Sequence, residues 1–234
     1  MNKVDVFLKA FFYVESRDNP PYYLESKIWD LSYYLTDSDI KEIYLYILQS
    51  GKAADIFRYL QRNKSLSIFF PELSRLSTIK QQKSKSRNAF EHTLNVLSCV
   101  PVDDRVLRHV AVMHDLGKFN SYLADGDFKD HARWSTNLSR DLCFRFDFDE
   151  RNKILAIVAN HMFPLDYQRN PNWTNKGLDK FIARCGSENA VETVQFAIYD
   201  KMAENNVPSY LQPLEVMKNR IIERIENGFE ETSH

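Results

Sequence analysis

The sequence predicts an all-α protein, and three observations support this prediction. The 234 residues include only six glycines. The chain has no alternating runs rich in valine and threonine between Asn-Gly or Asp-Gly turns, which β-hairpins would favour. Apolar residues instead recur three, four and seven positions apart, as expected for helices with one buried face.

The first clear helical pattern covers residues 39–48, where apolar side chains recur on one face. Asp37 or Ser38 is the expected N-cap, and Gly51 is the expected stop. Similar patterns follow along the rest of the chain. They cover residues 53–60, 90–100, 103–116, 130–146, 150–162, 187–205 and 214–228.

The helix predicted for residues 103–116 has an aspartate cap at Asp103 or Asp104. Gly117 follows it and is the natural residue to end it in a left-handed conformation. The polar, basic stretch KQQKSKSR at residues 80–87 has no apolar period, and we interpret it as a loop. This loop separates an N-terminal helical module, residues 1–83, from residues 84–234.

Composition limits the class of protein. The formal net charge is -1, with 44% hydrophobic and 27% charged residues, so any phosphate-binding surface must be local. The three cysteines form no C-x-x-C pair, which fits a reducing compartment. The N-terminal apolar patch is broken by charges and is too short to cross a membrane. We therefore expect a soluble cytoplasmic protein.

Metal-capable side chains interrupt the apolar faces of the later helices. A buried ionised aspartate costs several kcal/mol unless it is paired or binds a metal, whereas one buried histidine alone indicates little. Here four of the six histidines and two aspartates recur in or beside successive apolar stripes, which favours one shared site. His109 and His234 lack this context. The candidates are His92, His114, Asp115, His131, His161 and Asp200.

The mixture of imidazole and carboxylate groups suits a first-row divalent ion. No cysteine takes part, which disfavours a structural zinc site. Carboxylates with open coordination positions are typical of catalytic sites, where an ion lowers the pKa of a water molecule and orients it. The adjacent pair His114 and Asp115 directs two kinds of donor into one cavity.

These residues resemble the HD superfamily of metal-dependent phosphohydrolases. The matching segments are FEHTLNVL, AVMHDLGKF and FAIYDKMA, over about residues 84–205. The resemblance implies an all-α HD-domain helical bundle for residues 84–234, with an N-terminal helical extension at residues 1–83. It also implies that one ion is held by His92, His114, Asp115 and Asp200.

Two further segments, DHARWSTNL and VANHMF, resemble those that supply a second ion in some members of this superfamily. They imply that His131 and His161 are ligands of a second ion, with Asp115 as the bridging carboxylate. Lys118 matches the lysine that contacts the substrate phosphate. The alternative for Lys118 is a solvated lysine at a helix C-terminus.

A second resemblance extends upstream. The segments SGKAADIFRYLQRN and SIFFPELSRLSTIKQ are similar to the body of bacterial tRNA nucleotidyltransferases that carry a C-terminal HD domain. Their nucleotide-transferring head carries a Gly-Ser motif followed by paired DxD carboxylates, and this combination is absent from the sequence. We therefore expect a freestanding HD module that does not add nucleotides.

The predicted activity is hydrolysis of phosphate esters or diesters of nucleotides or RNA ends, including 2′,3′-cyclic phosphates. Asp115 and Lys118 are the candidate catalytic residues, and the expected cofactor is one or two divalent ions (Mn, Ni, Co, Fe, Zn or Mg). Lys83, Lys85 and Arg87 could guide a polyanionic substrate, although a solvated linker would have the same composition. The expected partners are a phosphorylated small molecule or an RNA end, without a membrane.

Two other functions fit the same residues. One is an HD hydrolase for a dNTP, a nucleoside monophosphate, a cyclic dinucleotide or a guanosine alarmone. The other is a non-catalytic nucleic-acid-binding module in which the metal braces the fold. The intact set of ligands argues against the non-catalytic module, and the extension that resembles a tRNA enzyme favours RNA or its cyclic-phosphate ends.

Overall fold

The computed structural model describes residues 2–81, 86–204 and 207–228. Over these ranges the chain forms fifteen α-helices and one 3-10 turn, and its β-structure is limited to an isolated bridge between Lys80 and Asn88. The all-α prediction is confirmed. In the described ranges, the model contains no helix with both the length and the apolarity that a membrane span requires.

The N-terminal helices pack around large buried side chains, among them Phe7, Phe11 and Phe57. Thr36 caps the third helix by accepting a hydrogen bond from the backbone N–H of Asp39, so the predicted cap at Asp37 or Ser38 is displaced by one or two residues. The elements are α1 Lys3–Glu15, α2 Tyr22–Ser32, α3 Asp37–Gln49, α4 Ala53–Arg62, α5 Leu66–Phe69, α6 Pro71–Arg75 and the 3-10 turn Leu76–Thr78.

The central helices continue the same hydrophobic core, which extends from Val4 to Ile157 and Val158 and also includes Phe196. Asn88 and Asp104 cap α7 and α8, each accepting a hydrogen bond from a backbone N–H three residues later. The elements are α7 Ala89–Cys99, α8 Arg105–Met113, α9 Lys118–Asp125, α10 His131–Arg145 and α11 Arg151–Asn160.

The C-terminal helices form a second, smaller core around Tyr167, Phe181 and Met217. They are α12 Phe163–Arg169, α13 Asn175–Cys185, α14 Ser187–Glu204 and α15 Pro208–Glu226. The helix α14 joins the two cores, because Phe196 lies in the first and Val194 and Ala197 lie in the second. This position brings α14 against α7, α8 and α11 as well as α15.

Arg108 ties the N-terminal helices to the central ones. Its buried guanidinium donates hydrogen bonds to the backbone carbonyls of Leu48 and Ser50 at the end of α3 and of Val100 at the end of α7. Carbonyls at helix C-termini lack partners within the helix and carry partial negative charge, so they can satisfy a buried cation.

Gly117 does not end a helix in the left-handed conformation that the sequence predicts. Its φ is -74°, and it directly precedes α9, while α8 has already ended at Met113. A Cβ atom at position 117 would lie 2.4 Å from the carbonyl oxygen of His131 and 2.3 Å from the backbone nitrogen of Ser135. The glycine is therefore required by the close approach of α10.

Candidate metal centre

The structure brings six predicted residues together at the meeting point of five helical segments. His92 lies on α7, His114 and Asp115 directly follow α8, and His131 begins α10. His161 directly follows α11, and Asp200 lies on α14. All six are buried. Residues from both cores therefore contribute to one site.

The six side chains form two groups whose potential ligand atoms lie within 4.8 Å of one another. They are His92, His114 and Asp200 in the first group, and Asp115, His131 and His161 in the second. Each group supplies two imidazoles and one carboxylate, a donor set that suits first-row divalent ions.

Asp115 connects the two groups. Its Oδ2 atom is 3.2 Å from Nε2 of His114 and 3.8 Å from Nε2 of His92, in the first group. Its Oδ1 atom is 3.5 Å from Nε2 of His131, in the second. In the first group, Nε2 of His92 is also 2.8 Å from Oδ1 of Asp200. One carboxylate thus faces both sets of imidazoles.

Backbone carbonyls fix the orientation of three of the histidines. Nδ1 of His114 is 2.9 Å from the carbonyl oxygen of Ala111, three residues earlier. The same contact is 2.6 Å for His131 and 2.7 Å for His161. A carbonyl oxygen can only accept, so Nδ1 carries the proton and Nε2 of each neutral ring presents its lone pair to the site. Metal-binding histidines are commonly oriented in this way.

The contact between His131 and His161 tests whether these residues fit a cation. Their Nε2 atoms are 3.2 Å apart, and with both Nδ1 atoms donating, two lone pairs face each other. Such an arrangement is repulsive unless a positive charge is shared between the rings. In addition, Nε2 of His114 and Oδ1 of Asp200 are buried, and their contacts with Asp115 and His92 do not have the geometry of hydrogen bonds. Metal coordination would satisfy these atoms, so the residues fit one or two divalent ions.

The electrostatics of the site also favour a cation. Burial alone would raise the pKa values of Asp115 and Asp200, but nearby histidines, and Lys118 in the case of Asp115, outweigh it and hold both pKa values below the ordinary range. Burial lowers the pKa of His161 to about 3, so its ring is neutral at pH 7. Ionised carboxylates and a neutral imidazole are the protonation states that metal binding requires.

Lys118 begins α9 and places its ammonium group in the site. Its Nζ atom is 2.6 Å from Oδ2 of Asp115, and the side chain is mostly buried. The sequence left open whether Lys118 is a solvated lysine at a helix end. The structure instead places it in the first turn of a helix, in contact with the bridging carboxylate.

The site opens into a cavity of about 890 Å³. Five of the six candidate ligands, all but His114, and Lys118 contribute to its wall, together with further residues. A cavity of this volume is in the range of small-molecule sites. The additional residues are Thr78, Ile79, Lys80, Gln81, Tyr122, Phe128, Met162, Leu165, Arg169 and Glu204.

The structure describes only one of the three residues predicted to guide the substrate. Arg87 is exposed and does not contribute to the cavity wall. Lys83 and Lys85 lie outside the described residues. Lys80, from the same basic stretch, does contribute to the cavity wall and was not selected. The basic composition of residues 80–87 could have identified Lys80 as a candidate. Its position beside α7 follows from the β-bridge between Lys80 and Asn88, which only the structure shows.

All six residues of the site lie in a region of the chain that is similar to known proteins. Residues 86–203 match the family described as HD domain, which is just over half of the chain. The chain is also similar to the CC-adding tRNA nucleotidyltransferase of Thermus thermophilus, with 29% identity over 156 residues. The aligned region is 62% of this chain and 35% of the relative, so the match spans about a third of the relative's length.

Proposed function

The chain belongs to the HD domain family of metal-dependent hydrolases, and we propose that it hydrolyses phosphate esters or diesters of nucleotides or RNA ends, including 2′,3′-cyclic phosphates. We further propose that residues 84–234 form the hydrolase domain and that residues 1–83 form a helical module which supplies part of the cavity wall. The observation that carries the activity is the set of six buried His and Asp side chains, joined by Asp115, at the base of a substrate-sized cavity.

The ligands we propose for one ion are His92, His114, Asp115 and Asp200, with His131 and His161 added for a second ion that shares Asp115. A bound divalent ion would supply Lewis acidity and a reactive water at neutral pH. The protein's own contribution is to hold the imidazole lone pairs of His114, His131 and His161 in place through backbone contacts, before any substrate arrives.

Lys118 is the candidate phosphate-binding residue. Its ammonium group contacts Asp115 and contributes to the cavity wall, so an incoming phosphate oxygen could meet it beside the metal ligands. Negative charge builds on the phosphoryl oxygens during hydrolysis, and a fixed cation that meets this charge lowers the barrier. Asp115 and Lys118 are therefore the two residues for which we propose catalytic roles.

A nucleotide or RNA substrate is supported by the similarity to a tRNA nucleotidyltransferase. The test is to strip the protein of metal and refill it separately with Mn²⁺, Ni²⁺, Co²⁺, Fe²⁺, Zn²⁺ or Mg²⁺. Each form is then assayed on bis-p-nitrophenyl phosphate, 2′,3′-cyclic AMP and a panel containing dNTPs, nucleoside monophosphates, cyclic dinucleotides and guanosine alarmones. We expect turnover of 2′,3′-cyclic AMP to exceed that of the panel.

Asp115→Ala should abolish this turnover, whereas Asp141→Ala, which removes an exposed carboxylate on α10, should not. The absence of turnover with every ion would refute the hydrolase proposal and leave a binding module. Preferred turnover of a panel compound would retain the reaction class and change the substrate.

The second ion has a separate test. Elemental analysis of the refilled protein should give a lower metal content for His131→Ala and His161→Ala than for the wild type. An unchanged metal content in both variants would show that one ion, held by the first group of residues, is the full complement.

A further inference from the structure

Tyr122 is an aromatic residue that faces the cavity and is not buried in a hydrophobic core. It lies on α9, contributes to the wall of the cavity and leaves 51% of its surface exposed. Phe119, on the same helix, is partly buried against the main core. An exposed apolar ring on a cavity wall is a common feature of sites that bind flat ligands.

Phe128 holds the ring of Tyr122 in place. The two rings are stacked, with centroids 5.8 Å apart and an angle of 25° between their planes. The short connection between them turns back through Gly126, which has a φ of +70° and donates its N–H to the carbonyl of Tyr122. Ser121 closes the same turn by donating from its hydroxyl to the carbonyl of Asp127. These contacts therefore hold the ring of Tyr122 in a fixed orientation.

The register of α9 relates this surface to the reaction site. Lys118 and Tyr122 are four residues apart, so they lie on the same side of the helix, separated by about 6 Å along its axis. Lys118 contacts Asp115 at the metal centre, and Tyr122 is one turn further along the cavity wall. A phosphate at Lys118 would therefore place a group attached to it through a ribose near Tyr122.

We propose that Tyr122, supported by Phe128, forms the subsite that stacks on the nucleobase of the substrate. This rests on the proposed function and narrows it, because the enzyme then selects phosphate esters that carry a base. Stacking is tolerant of base identity, since each base has a π-face. The subsite therefore recognises the presence of a base and not its identity. Lys80 and Gln81 contribute to the wall of the same cavity and add polar groups to it.

The first experiment compares two esters that differ only in the base, 2′,3′-cyclic AMP and ribose 2,3-cyclic phosphate. Phosphorus NMR follows the hydrolysis of each by the metal-refilled protein. Tyr122→Ala should lower kcat/KM for 2′,3′-cyclic AMP on the order of tenfold and leave the base-free ester unchanged. Tyr122→Phe, which keeps the ring, should behave like the wild type. Tyr22→Ala, which removes a tyrosine that is 84% exposed on α2, is the matched control and should change neither rate.

The second experiment measures binding and does not depend on turnover. Calorimetry gives the dissociation constants of the 5′-phosphonate analogue of AMP and of ribose 5-phosphonate, in which a methylene replaces the ester oxygen and prevents hydrolysis. The wild type should bind the adenosine compound about tenfold more tightly, and Tyr122→Ala should lose this preference.

The two experiments separate the two proposals. Equal losses on both esters in Tyr122→Ala, or an unchanged preference for the adenosine phosphonate, would overturn the stacking subsite and leave the hydrolase intact. If the wild type hydrolyses neither of these esters nor any compound of the panel, the proposed function fails. The binding preference would then still decide whether Tyr122 recognises a base.

Discussion

His109 and His114 are five residues apart around the end of one helix, and both are buried, yet their surroundings differ. The ring of His109 packs against Phe148 at 4.5 Å, and its Nδ1 atom is 3.3 Å from the hydroxyl of Tyr44. The ring of His114 leaves Nε2 without a hydrogen-bond partner, 3.2 Å from a carboxylate oxygen of Asp115.

The pKa values of the two rings move in opposite directions. Burial lowers the pKa of His109 to about 4. Burial also opposes the charge on His114, but Asp115 and Asp200 outweigh it and raise its pKa. A buried histidine among aromatic rings is held neutral, whereas one among carboxylates attracts a proton or a metal. Burial alone therefore does not distinguish a core histidine from a ligand; the neighbouring carboxylates do.

The largest expected difference between the two residues is in activity. His114→Gln should lower kcat/KM for 2′,3′-cyclic AMP by about 10³-fold or more, because a ligand of the catalytic ion contributes several kcal/mol to the barrier. His109→Gln should stay within a few-fold of the wild type. Steady-state assays in excess metal, with circular dichroism to verify folding, measure both. Similar losses in the two variants would contradict the distinction.

A variant of Lys118 separates the effect of a positive charge in the site from the effect of metal binding. Lys118→Met should lower kcat by about 10²-fold to 10³-fold, because a preorganised positive group that meets the developing phosphoryl charge is lost. The metal content should remain that of the wild type. Lys129→Met, which removes a lysine with an 87% exposed side chain, is the matched control. If Lys118→Met loses bound metal as well as activity, the role of the lysine is to maintain the structure of the metal site.

Metal-dependent stability should also separate the two histidines. An ion that binds only the folded state adds about 2.7 kcal/mol to the free energy of unfolding when its concentration is 100 times its Kd. We expect this increment in the wild type and in His109→Gln, and a smaller one in His114→Gln. Chemical unfolding with and without the ion measures it. An equal increase in the free energy of unfolding in all three proteins would show that the ion binds without His114.

The smallest expected effect is the pH dependence that comes from His109. Its folded pKa of about 4 lies below the ordinary value of about 6.5, so the unfolded chain gains a proton first as the pH falls. The stability present above pH 6.5 is therefore lost between about pH 6.5 and pH 4. Between pH 7.5 and pH 5, His109 contributes about 2 kcal/mol to the loss of stability of the wild type.

Glutamine does not titrate, so His109→Gln should show a pH-dependent loss that is smaller by this amount. Unfolding in urea at the two pH values provides the measurement, with the metal-free protein used throughout. The same pH dependence in the wild type and the variant would show that His109 titrates normally in the folded state.

Much of the fold follows from local patterns in the sequence. The periodicity of apolar residues predicts α3, α4, α7, α10 and α14 to within a few residues. Helix ends are less predictable because tertiary contacts decide them. The pattern at residues 150–162 contains the end of α11 at Asn160, and the pattern at residues 214–228 misses a start at Pro208 because Pro213 lies inside the helix. The helices α1, α2, α9, α12 and α13 were not predicted. Of these, α9 and α12 have only eight and seven residues, and so few turns give little periodicity.

The residue types of the candidate site are also readable from the sequence, because charged and imidazole groups on apolar faces need an explanation. Their distances are not. The 3.2 Å contact between His131 and His161 arises from two helices that are joined by tertiary packing. The exposure of Tyr122 and its stacking on Phe128 are likewise not readable from the sequence, because both depend on the fold.

The absence of a side chain at Gly117 has a consequence for the spacing of the proposed metal ligands. An alanine there would meet the carbonyl of His131 at 2.4 Å, so α10 would have to retreat by roughly an ångström to reach ordinary contact. His131 begins α10 and would move with it, which would change its 3.2 Å distance from His161. Preferred metal–ligand distances differ by only a few tenths of an ångström between, for example, zinc and calcium. Through the position of His131, the absence of a side chain at Gly117 would thus help to set the size of the second ion that we propose.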